Sequence, residues 1–306
     1  QWVVTARCRV VTVLGMGGMG KTALTVHWAR MVAAQGAFPV VIWRLLLNAP
    51  PLVEIVREWL LVLAQQQMTT LPATLDGLLA LLMEQVRQQR CLLVLDNAES
   101  ILQEAASGPD TGGRQGAYRP GCAEYGQLFQ RLGSSAHQSC LLITSRELPP
   151  EIARLARESW LVRTLPLTGV ATDAVYAILK TQGLTAPPTL TQQLAQRYSG
   201  NPLALLLVAD TIQELFDGDM AAFLDEDAPI FDDIRDVLDQ QFARLAPLEQ
   251  TILFWLALER EPRTVAQLAA LFPQLVAKRA LIEALTSLRR RSLLEKGGDG
   301  DGPEQE

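Results

Sequence analysis

A glycine-rich stretch near the start of the chain has the composition and spacing of a phosphate-binding loop. It reads GMGGMGKT over residues 15–22 and fits the pattern G-x-x-x-x-G-K-[ST] at every fixed position. Glycines let successive backbone N–H groups point at an anion, and the helix that follows adds the positive end of its dipole. We expect Lys21 to reach the β- and γ-phosphates and the Thr22 hydroxyl to bind Mg²⁺. The residues predicted to contact the nucleotide are Gly15, Met16, Gly17, Gly18, Met19, Gly20, Lys21, Thr22 and Ala23.

A carboxylate follows an apolar segment further along the chain. Residues 91–95 read CLLVL, which predicts a buried strand, and Asp96 follows directly. Ligands of parallel sheets bind at the carboxyl ends of the strands, so Asp96 is predicted to hold Mg²⁺ directly or through water. The alternative is a carboxylate that caps a short helix. Asn97 occupies the position where a second acid would polarise the attacking water, so we expect hydrolysis to be slow or to depend on Glu99.

An arginine ends a third apolar segment, LLITSR over residues 141–146. A guanidinium donates a fork of hydrogen bonds to phosphate oxygens, and Arg146 is therefore predicted to sense the terminal phosphate. The alternative is a surface arginine paired with Glu147. The candidate catalytic residues are thus Lys21, Asp96, Glu99 and Arg146.

The segments around these residues alternate between strand and helix patterns. Strands are expected over 10–14, 40–43, 91–95, 140–144 and, more weakly, 160–165, with helices over 21–34, 52–66, 75–89 and 125–132. This alternation predicts an α/β domain with a parallel sheet covered by helices on both faces. On the first helix, the apolar face is predicted to contain Leu24, Trp28, Met31 and Val32.

The remaining segments suggest how the chain is divided. A Gly/Ser/Pro-rich surface loop is expected over 103–122, and an acidic junction over 225–236. The second half is mainly helical, and helices over 234–245, 247–258, 265–271 and 278–290 with a strand-like segment at 292–296 suggest a winged helix. We predict a nucleotide-binding domain over 1–166, a helical domain over 167–230, a winged-helix domain over 231–296, and a tail or cut linker over 297–306.

Composition excludes several classes of protein. The net charge of −6 argues against a general nucleic-acid binder. The chain has two histidines and four cysteines without a C-x-x-C spacing, which argues against a zinc site. Cys91 and Cys140 each open a predicted strand, where a free thiol packs as a small hydrophobe. No apolar run is long enough for a membrane span, and no signal peptide is visible, so cytoplasmic residence is expected. Because the chain lacks an initiator Met, we interpret it as an excised fragment.

Five stretches together resemble the NB-ARC type of signal-transducing (STAND) P-loop NTPase, in particular bacterial NB-ARC proteins with C-terminal WD-type repeats. They are GMGGMGKT, CLLVLDNAESIL, CLLITSRE, RYSGNPLAL and SLRRRSLLEK. The resemblance implies a closed, inactive ADP form and an ATP form that opens and assembles. It implies that Pro202 packs near the adenine and that Arg146 contacts phosphate in the ATP state. The family's adenine-contacting segment before the first strand and its histidine motif in the winged-helix domain have no counterpart here.

The function expected from these observations is an ATP/ADP switch with Mg²⁺ as cofactor and possible slow hydrolysis. Its expected partners are the nucleotide, other copies of the chain in the ATP state, and C-terminal sensor repeats of the full-length protein. A membrane is not an expected partner, and nucleic acid is disfavoured. The alternative is a transcription regulator whose residues 289–291, three arginines, contact DNA phosphates. A metabolic phosphotransferase is disfavoured because the helical second half is unlike a small kinase.

Overall fold

The first half of the chain forms a five-stranded parallel sheet. The computed structural model describes residues 1–64, 71–103, 117–225, 242, 245–259, 263–271, 278–291 and 293–294. The strands are β1 (Val10–Leu14), β2 (Val40–Leu45), β3 (Cys91–Asp96), β4 (Cys140–Ser145) and β5 (Val162–Pro166). They are ordered β2-β3-β4-β1-β5, and every pairing is parallel.

The three central strands are buried along their whole length, which is why they appear in the sequence as nearly continuous apolar runs. β4 lies between β1 and β3, and its register places Leu14 beside Ser145. The carboxyl ends of β1, β3 and β4 therefore lie next to one another, and these ends carry the candidate site residues.

Helices cover both faces of the sheet, as predicted. They are α1 (Lys21–Ala34), α2 (Leu52–Leu63), α3 (Leu75–Gln88), α4 (Glu124–Ser134) and α5 (Pro150–Glu158). Strand side chains alternate between the two faces. Leu93 and Ile143 pack into a core with α2 to α5, while Val94 and Leu142 pack with α1 on the other face. We call residues 10–166 the sheet unit.

The predicted buried face of α1 was wrong in part. Leu24 and Met31 are 42% and 44% exposed, and the buried residues are Thr25, Ala29 and Val32. The phosphate loop leads directly into α1, and the hydrogen bond from Thr22 to β3 orients its first turn. The rotation of α1 about its axis is therefore set at its first turn. Hydrophobic periodicity alone predicted a buried face that is rotated away from the one observed.

Several element limits differ from the sequence expectations. β2 extends to Leu45, and β3 and β4 each include the polar residue that follows the apolar run. The helix α5 and a 3₁₀ turn at Ala98–Ile101 were not predicted. Most of the expected loop over 103–122 and of the acidic junction, as well as the helix over 234–245 except 242 and 245, lie outside the described residues.

The second half contains two groups of helices. The middle helical unit comprises α6 (Thr172–Thr181), α7 (Pro188–Arg197), α8 (Pro202–Leu215) and α9 (Met220–Asp225), with its own apolar core. The C-terminal helical unit comprises α10 (Pro247–Glu259), α11 (Val265–Leu271) and α12 (Lys278–Arg290), also with a core of its own. Of the strand-like segment, Leu293 and Leu294 are described, and they are not in a strand. The winged helix stays a prediction.

Two predictions from composition can be compared with this fold. All four cysteines are free and buried, and Cys91 and Cys140 open β3 and β4 as expected. Burial raises the pKa of the Cys91 thiol to about 11. Within the described ranges, none of the helices combines the length and apolar character that crossing a membrane requires.

Candidate nucleotide-binding site

The glycine-rich loop joins the end of β1 to the start of α1. Gly18 and Gly20 have φ values of 79° and 77°, a left-handed conformation in which a side chain is strained and glycine is not. The backbone N–H of Gly15 donates to the carbonyl of Ser145 at 3.2 Å, which ties the loop to the end of β4.

Lys21 folds back across this loop. Its Nζ donates to the carbonyl oxygens of Gly15 at 2.8 Å and Met16 at 2.9 Å. Burial lowers the pKa of Lys21 to about 8; the negative charges of Glu99 and Asp96 oppose this shift, and the positive charge of Arg146 adds to it. The loop thus holds a partly desolvated cation, which is suited to binding an anion.

Thr22 and Asp96 lie in contact although 74 positions separate them. The Thr22 hydroxyl donates to Oδ1 of Asp96 at 2.9 Å, and the Thr144 hydroxyl donates to the same oxygen. The Asp96 side chain is buried. A hydroxyl and a carboxylate oxygen are hard ligands, and Mg²⁺ in nucleotide sites usually takes one or two protein ligands plus phosphates and waters. The donor set therefore fits a magnesium–nucleotide complex.

Glu99 and Arg146 form an ion pair in which the Glu99 side chain is 8% exposed and the Arg146 side chain 32% exposed. The Arg146 Nε lies 2.9 Å from Oε1 of Glu99, and the Arg146 backbone N–H donates to Oε2 at 3.2 Å. The 3₁₀ turn after Asn97, whose φ is 68°, brings Glu99 back towards β4. Both residues were predicted as site residues, but their pairing was not. The predicted alternative pair, Arg146 with Glu147, is not what the structure shows: Glu147 lies 3.5 Å from Arg291 instead.

The start of α8 packs on the phosphate loop. Pro202 occupies the first turn, and the side chain of Asn201 caps the helix by accepting from the N–H groups of Leu203 and Ala204. The same side chain donates from Nδ2 to the Gly17 carbonyl at 3.1 Å. Sequence analysis singled out Pro202 and missed Asn201. Its capping role was readable from an Asn before a helix-starting Pro, but its bond to a loop 184 positions away was not.

A cavity of about 790 Å³ opens beside the loop. This volume lies within the range of small-molecule sites. The sheet unit, the middle helical unit and the C-terminal end all contribute to its wall. The lining residues are Leu14, Met16, Met19, Pro166, Leu167, Thr168, Ser199, Arg289, Leu293 and Leu294.

Comparison with known proteins gives a family match and a curated relative. Residues 2–103 match the NB-ARC domain. An uncharacterised WD repeat-containing protein of Nostoc sp. is 45% identical over 310 residues, covering 98% of this chain. The chain spans about a quarter of the length of that relative, 24%.

Two solved structures of Pyrococcus proteins contain similar chains. A STAND protein with a tetratricopeptide repeat sensor from Pyrococcus horikoshii is 17% identical, with 94% of this chain and 37% of that chain covered and a TM-score of 0.46. A Walker-type ATPase of Pyrococcus abyssi is 13% identical, with 94% and 86% covered and a TM-score of 0.49.

The NB-ARC match includes both the phosphate loop and the strand that ends at Asp96. These are two of the stretches on which the resemblance found in the sequence rests, and the predicted family is confirmed. Residues 2–103 of the chain therefore match the NB-ARC domain, and this part contains the phosphate loop and Asp96.

Proposed function

We propose that this chain is a switch that binds ATP or ADP with Mg²⁺ and whose nucleotide state controls opening and self-assembly. The observation that carries the proposal is the convergence of Lys21, Thr22, Asp96 and Arg146 at the carboxyl ends of three adjacent strands. The contact of Asn201 with the loop adds a direct connection from the nucleotide site to the middle helical unit.

Each residue has a distinct role in nucleotide binding. The loop N–H groups and Lys21 bind the phosphates, and Pro202 at the start of α8 packs near the adenine. Thr22 and Asp96 hold Mg²⁺, whose bound charge would neutralise the β- and γ-phosphate oxygens. The Thr144 hydroxyl fixes the orientation of the Asp96 carboxylate through its hydrogen bond.

Arg146 gives the site a way to distinguish ATP from ADP. Its guanidinium pairs with Glu99, so a terminal phosphate must compete with this carboxylate for the same donor. ADP lacks that phosphate and leaves the pair in place. A ligand shifts a conformational equilibrium only through contacts that differ between states, and this exchange of partners is such a contact.

The same exchange of partners also explains why ATP hydrolysis is expected to be slow. While Arg146 occupies both oxygens of Glu99, the carboxylate is a poor base. When the Arg146 guanidinium turns to the terminal phosphate, Oε1 of Glu99 becomes free to accept a proton from water. Glu99 then acts in place of the second acid, whose position is occupied by Asn97. Hydrolysis then requires the pair to open first, which fits a regulatory role.

The sheet unit, the middle helical unit and the C-terminal helical unit are proposed to correspond to three functional domains. A nucleotide-binding domain over 1–166, a helical domain over 167–230 and a winged-helix domain over 231–296 agree with the separate apolar cores. The full-length protein is proposed to add C-terminal WD-type sensor repeats, as the name of the Nostoc relative suggests. The DNA-binding alternative has less support, because Arg291 is 8% exposed and faces Glu147.

The first experiment identifies the nucleotide that copurifies with the protein. Denaturation and chromatography should release ADP or ATP from the wild type and none from Lys21→Ala. Calorimetry with ADP and with ATP plus Mg²⁺ then gives the affinities, and light scattering gives the mass in each state. Wild-type protein that carries no nucleotide and binds neither added nucleotide would overturn the proposal.

A further inference from the structure

The first turn of α8 holds two consecutive carbonyl groups of the phosphate loop. The Asn201 side chain donates from Nδ2 to the Gly17 carbonyl at 3.1 Å, and the Leu203 N–H donates to the Gly18 carbonyl at 3.3 Å. Oδ1 of Asn201 accepts from the N–H groups of Leu203 and Ala204 at 3.1 and 3.3 Å, so that this side chain is held at both ends of its amide. The two loop carbonyls therefore point towards α8.

The direction of these carbonyls sets the direction of the next two N–H groups. All described peptide bonds are trans, and in a planar trans peptide the C=O and N–H groups point in opposite directions. Because the carbonyls of Gly17 and Gly18 face α8, the N–H groups of Gly18 and Met19 point away from it. Within the described part of the chain, neither N–H donates to another group. Both are therefore available to an anion bound in the loop.

The peptide group between Gly17 and Gly18 depends on this restraint. Glycine populates positive and negative φ with similar ease, so a peptide between two glycines turns over with little steric resistance. Lys21 Nζ already holds the carbonyl groups of Gly15 and Met16, earlier in the loop, and α8 holds the next two. Each carbonyl group from residue 15 to residue 18 therefore has a fixed direction.

Asn201 is itself held in place relative to β1. Leu167, which follows β5 directly, donates its N–H to the Leu14 carbonyl at 2.7 Å and so extends the pairing of β5 with β1. Further along the chain, the Val170 N–H donates to the Gly200 carbonyl at 2.9 Å. The residue before Asn201 is thus tied to the segment that leaves β5, and the contact of Asn201 with the loop has a fixed geometry relative to the sheet.

We propose that Asn201 is a positioning residue of the nucleotide site, which holds the peptide between Gly17 and Gly18 so that the N–H of Gly18 faces the bound phosphates. The proposal rests on the proposed nucleotide function. A ligand that binds one loop conformation loses apparent affinity in proportion to the fraction of protein that adopts another. One hydrogen bond of ordinary net strength changes such a population about threefold to tenfold. Asn201 thus acts on phosphate affinity through the loop, without touching the nucleotide.

Asn201→Ser separates the contact with the loop from the cap of α8. Serine caps helices as well as asparagine does, and the exchange alters no charge, but the serine hydroxyl is too short to reach the Gly17 carbonyl. Asp219→Ala is the control for a loosened middle helical unit, since Asp219 caps α9 by accepting from the N–H groups of Ala221 and Ala222 at 3.0 Å. Circular dichroism and thermal unfolding show that each variant is folded.

Binding is measured with and without the adenosine part of the ligand, by calorimetry with Mg-ADP and by its displacement with Mg-pyrophosphate. In Asn201→Ser both dissociation constants should rise about threefold to tenfold, whereas Asp219→Ala should leave both unchanged. A loss for ADP that pyrophosphate does not share would place the effect at the base and overturn the proposal. Wild-type affinities in folded Asn201→Ser also overturn it and leave the nucleotide function intact. A wild-type protein that binds neither ligand overturns the function, and the positioning role with it.

The orientation of the peptide is measured by NMR in protein without nucleotide. Glycine labelled with ¹³C at the carbonyl and ¹⁵N at the amide gives a coupled signal only where one glycine follows another, and the chain has three such pairs, 17–18, 112–113 and 297–298. Gly113→Ala and Gly298→Ala remove the other two signals. Loss of the hydrogen bond should move the Gly17 carbonyl resonance upfield in Asn201→Ser and not in Asp219→Ala. A resonance that stays in place in Asn201→Ser overturns the positioning role, whatever the affinities.

Discussion

Lys21 combines two properties that oppose each other. Burial favours its neutral form, whereas phosphate binding requires the charged form. With a pKa near 8, the free protein has a charged Lys21 at pH 7 and a mostly neutral one at pH 9. A bound anion raises this pKa again, so that binding above pH 8 takes up a proton.

The affinity for ADP should therefore fall as the pH rises through the pKa of Lys21. From pH 7 to pH 9 we expect Kd to increase roughly tenfold, the linkage expected when binding requires a proton that the free site has lost. Calorimetry in two buffers with different ionisation enthalpies measures both Kd and the proton uptake. In Lys21→Arg, whose guanidinium stays charged, any remaining binding should not show this dependence. A flat wild-type profile would show that Lys21 does not control binding.

The Glu99–Arg146 pair leads to opposite expectations for its two members. Glu99→Gln removes the charge that competes for Arg146, so ATP should bind more tightly while ADP affinity is little changed. Arg146→Gln should weaken ATP binding about tenfold or more, because charge-assisted hydrogen bonds contribute about 1.5–3 kcal/mol each. Calorimetry with Mg-ADP and a non-hydrolysable Mg-ATP analogue gives the ratio of affinities. If neither substitution alters that ratio, the exchange of partners does not distinguish the nucleotides.

Gly18 and Gly20 of the phosphate loop differ in how closely they contact α8, so a comparison of the two distinguishes the effect of backbone strain from the effect of that contact. Both have positive φ, but a Cβ on Gly18 would lie 2.8 Å from the Asn201 Oδ1 and 2.9 Å from the Leu203 Cβ. A Cβ on Gly20 would have nothing within 4 Å. The start of α8 thus packs so closely on the loop that position 18 has no room for a side chain.

Gly18→Ala should destabilise the protein more than Gly20→Ala. The left-handed backbone costs both variants about 1–2 kcal/mol, and overpacking adds about 1–3 kcal/mol in Gly18→Ala only. Chemical denaturation without nucleotide measures the two free energies of unfolding. Equal losses would mean that α8 moves away from the loop at little cost, and that the middle helical unit is weakly coupled to the nucleotide site.

Separate apolar cores suggest that the molecule unfolds in more than one step. The C-terminal helical unit has a small core that includes Leu245, Ile252 and Leu288, and it meets the sheet unit across cavities. Chains with several domains commonly deviate from two-state behaviour. We therefore expect the C-terminal helical unit to have its own, earlier transition in calorimetry.

Leu288→Ala should lower that transition and leave the later one in place. Leu288 is fully buried, and truncation of a buried leucine costs about 2–5 kcal/mol. Ile282→Ala, on the same helix but 46% exposed, is the control and should have a much smaller effect. A single transition that shifts as a whole in Leu288→Ala would show that the units unfold cooperatively.

Features that depend on neighbouring residues were predicted from the sequence. The phosphate loop is recognisable because its glycines, Lys21 and Thr22 act within one turn of chain, and their spacing is a local property. The buried strands appeared as apolar runs, and α1, α11 and α12 have the predicted limits. For these elements the backbone hydrogen bonds form between residues a few positions apart, so the local pattern predicts where each element begins and ends.

Contacts between distant segments could not be predicted in this way. The pairs Thr22–Asp96, Glu99–Arg146, Asn201–Gly17 and Glu147–Arg291 all depend on which segments become neighbours. The position of β4 between β1 and β3 decides the first two, and the docking of the helical units decides the others. The choice of partner among several charged or polar residues of similar type depends on the packing of whole elements. The sequence alone thus identified which residues have the chemistry of a nucleotide site, and the packing of the elements determined which of them bind to one another.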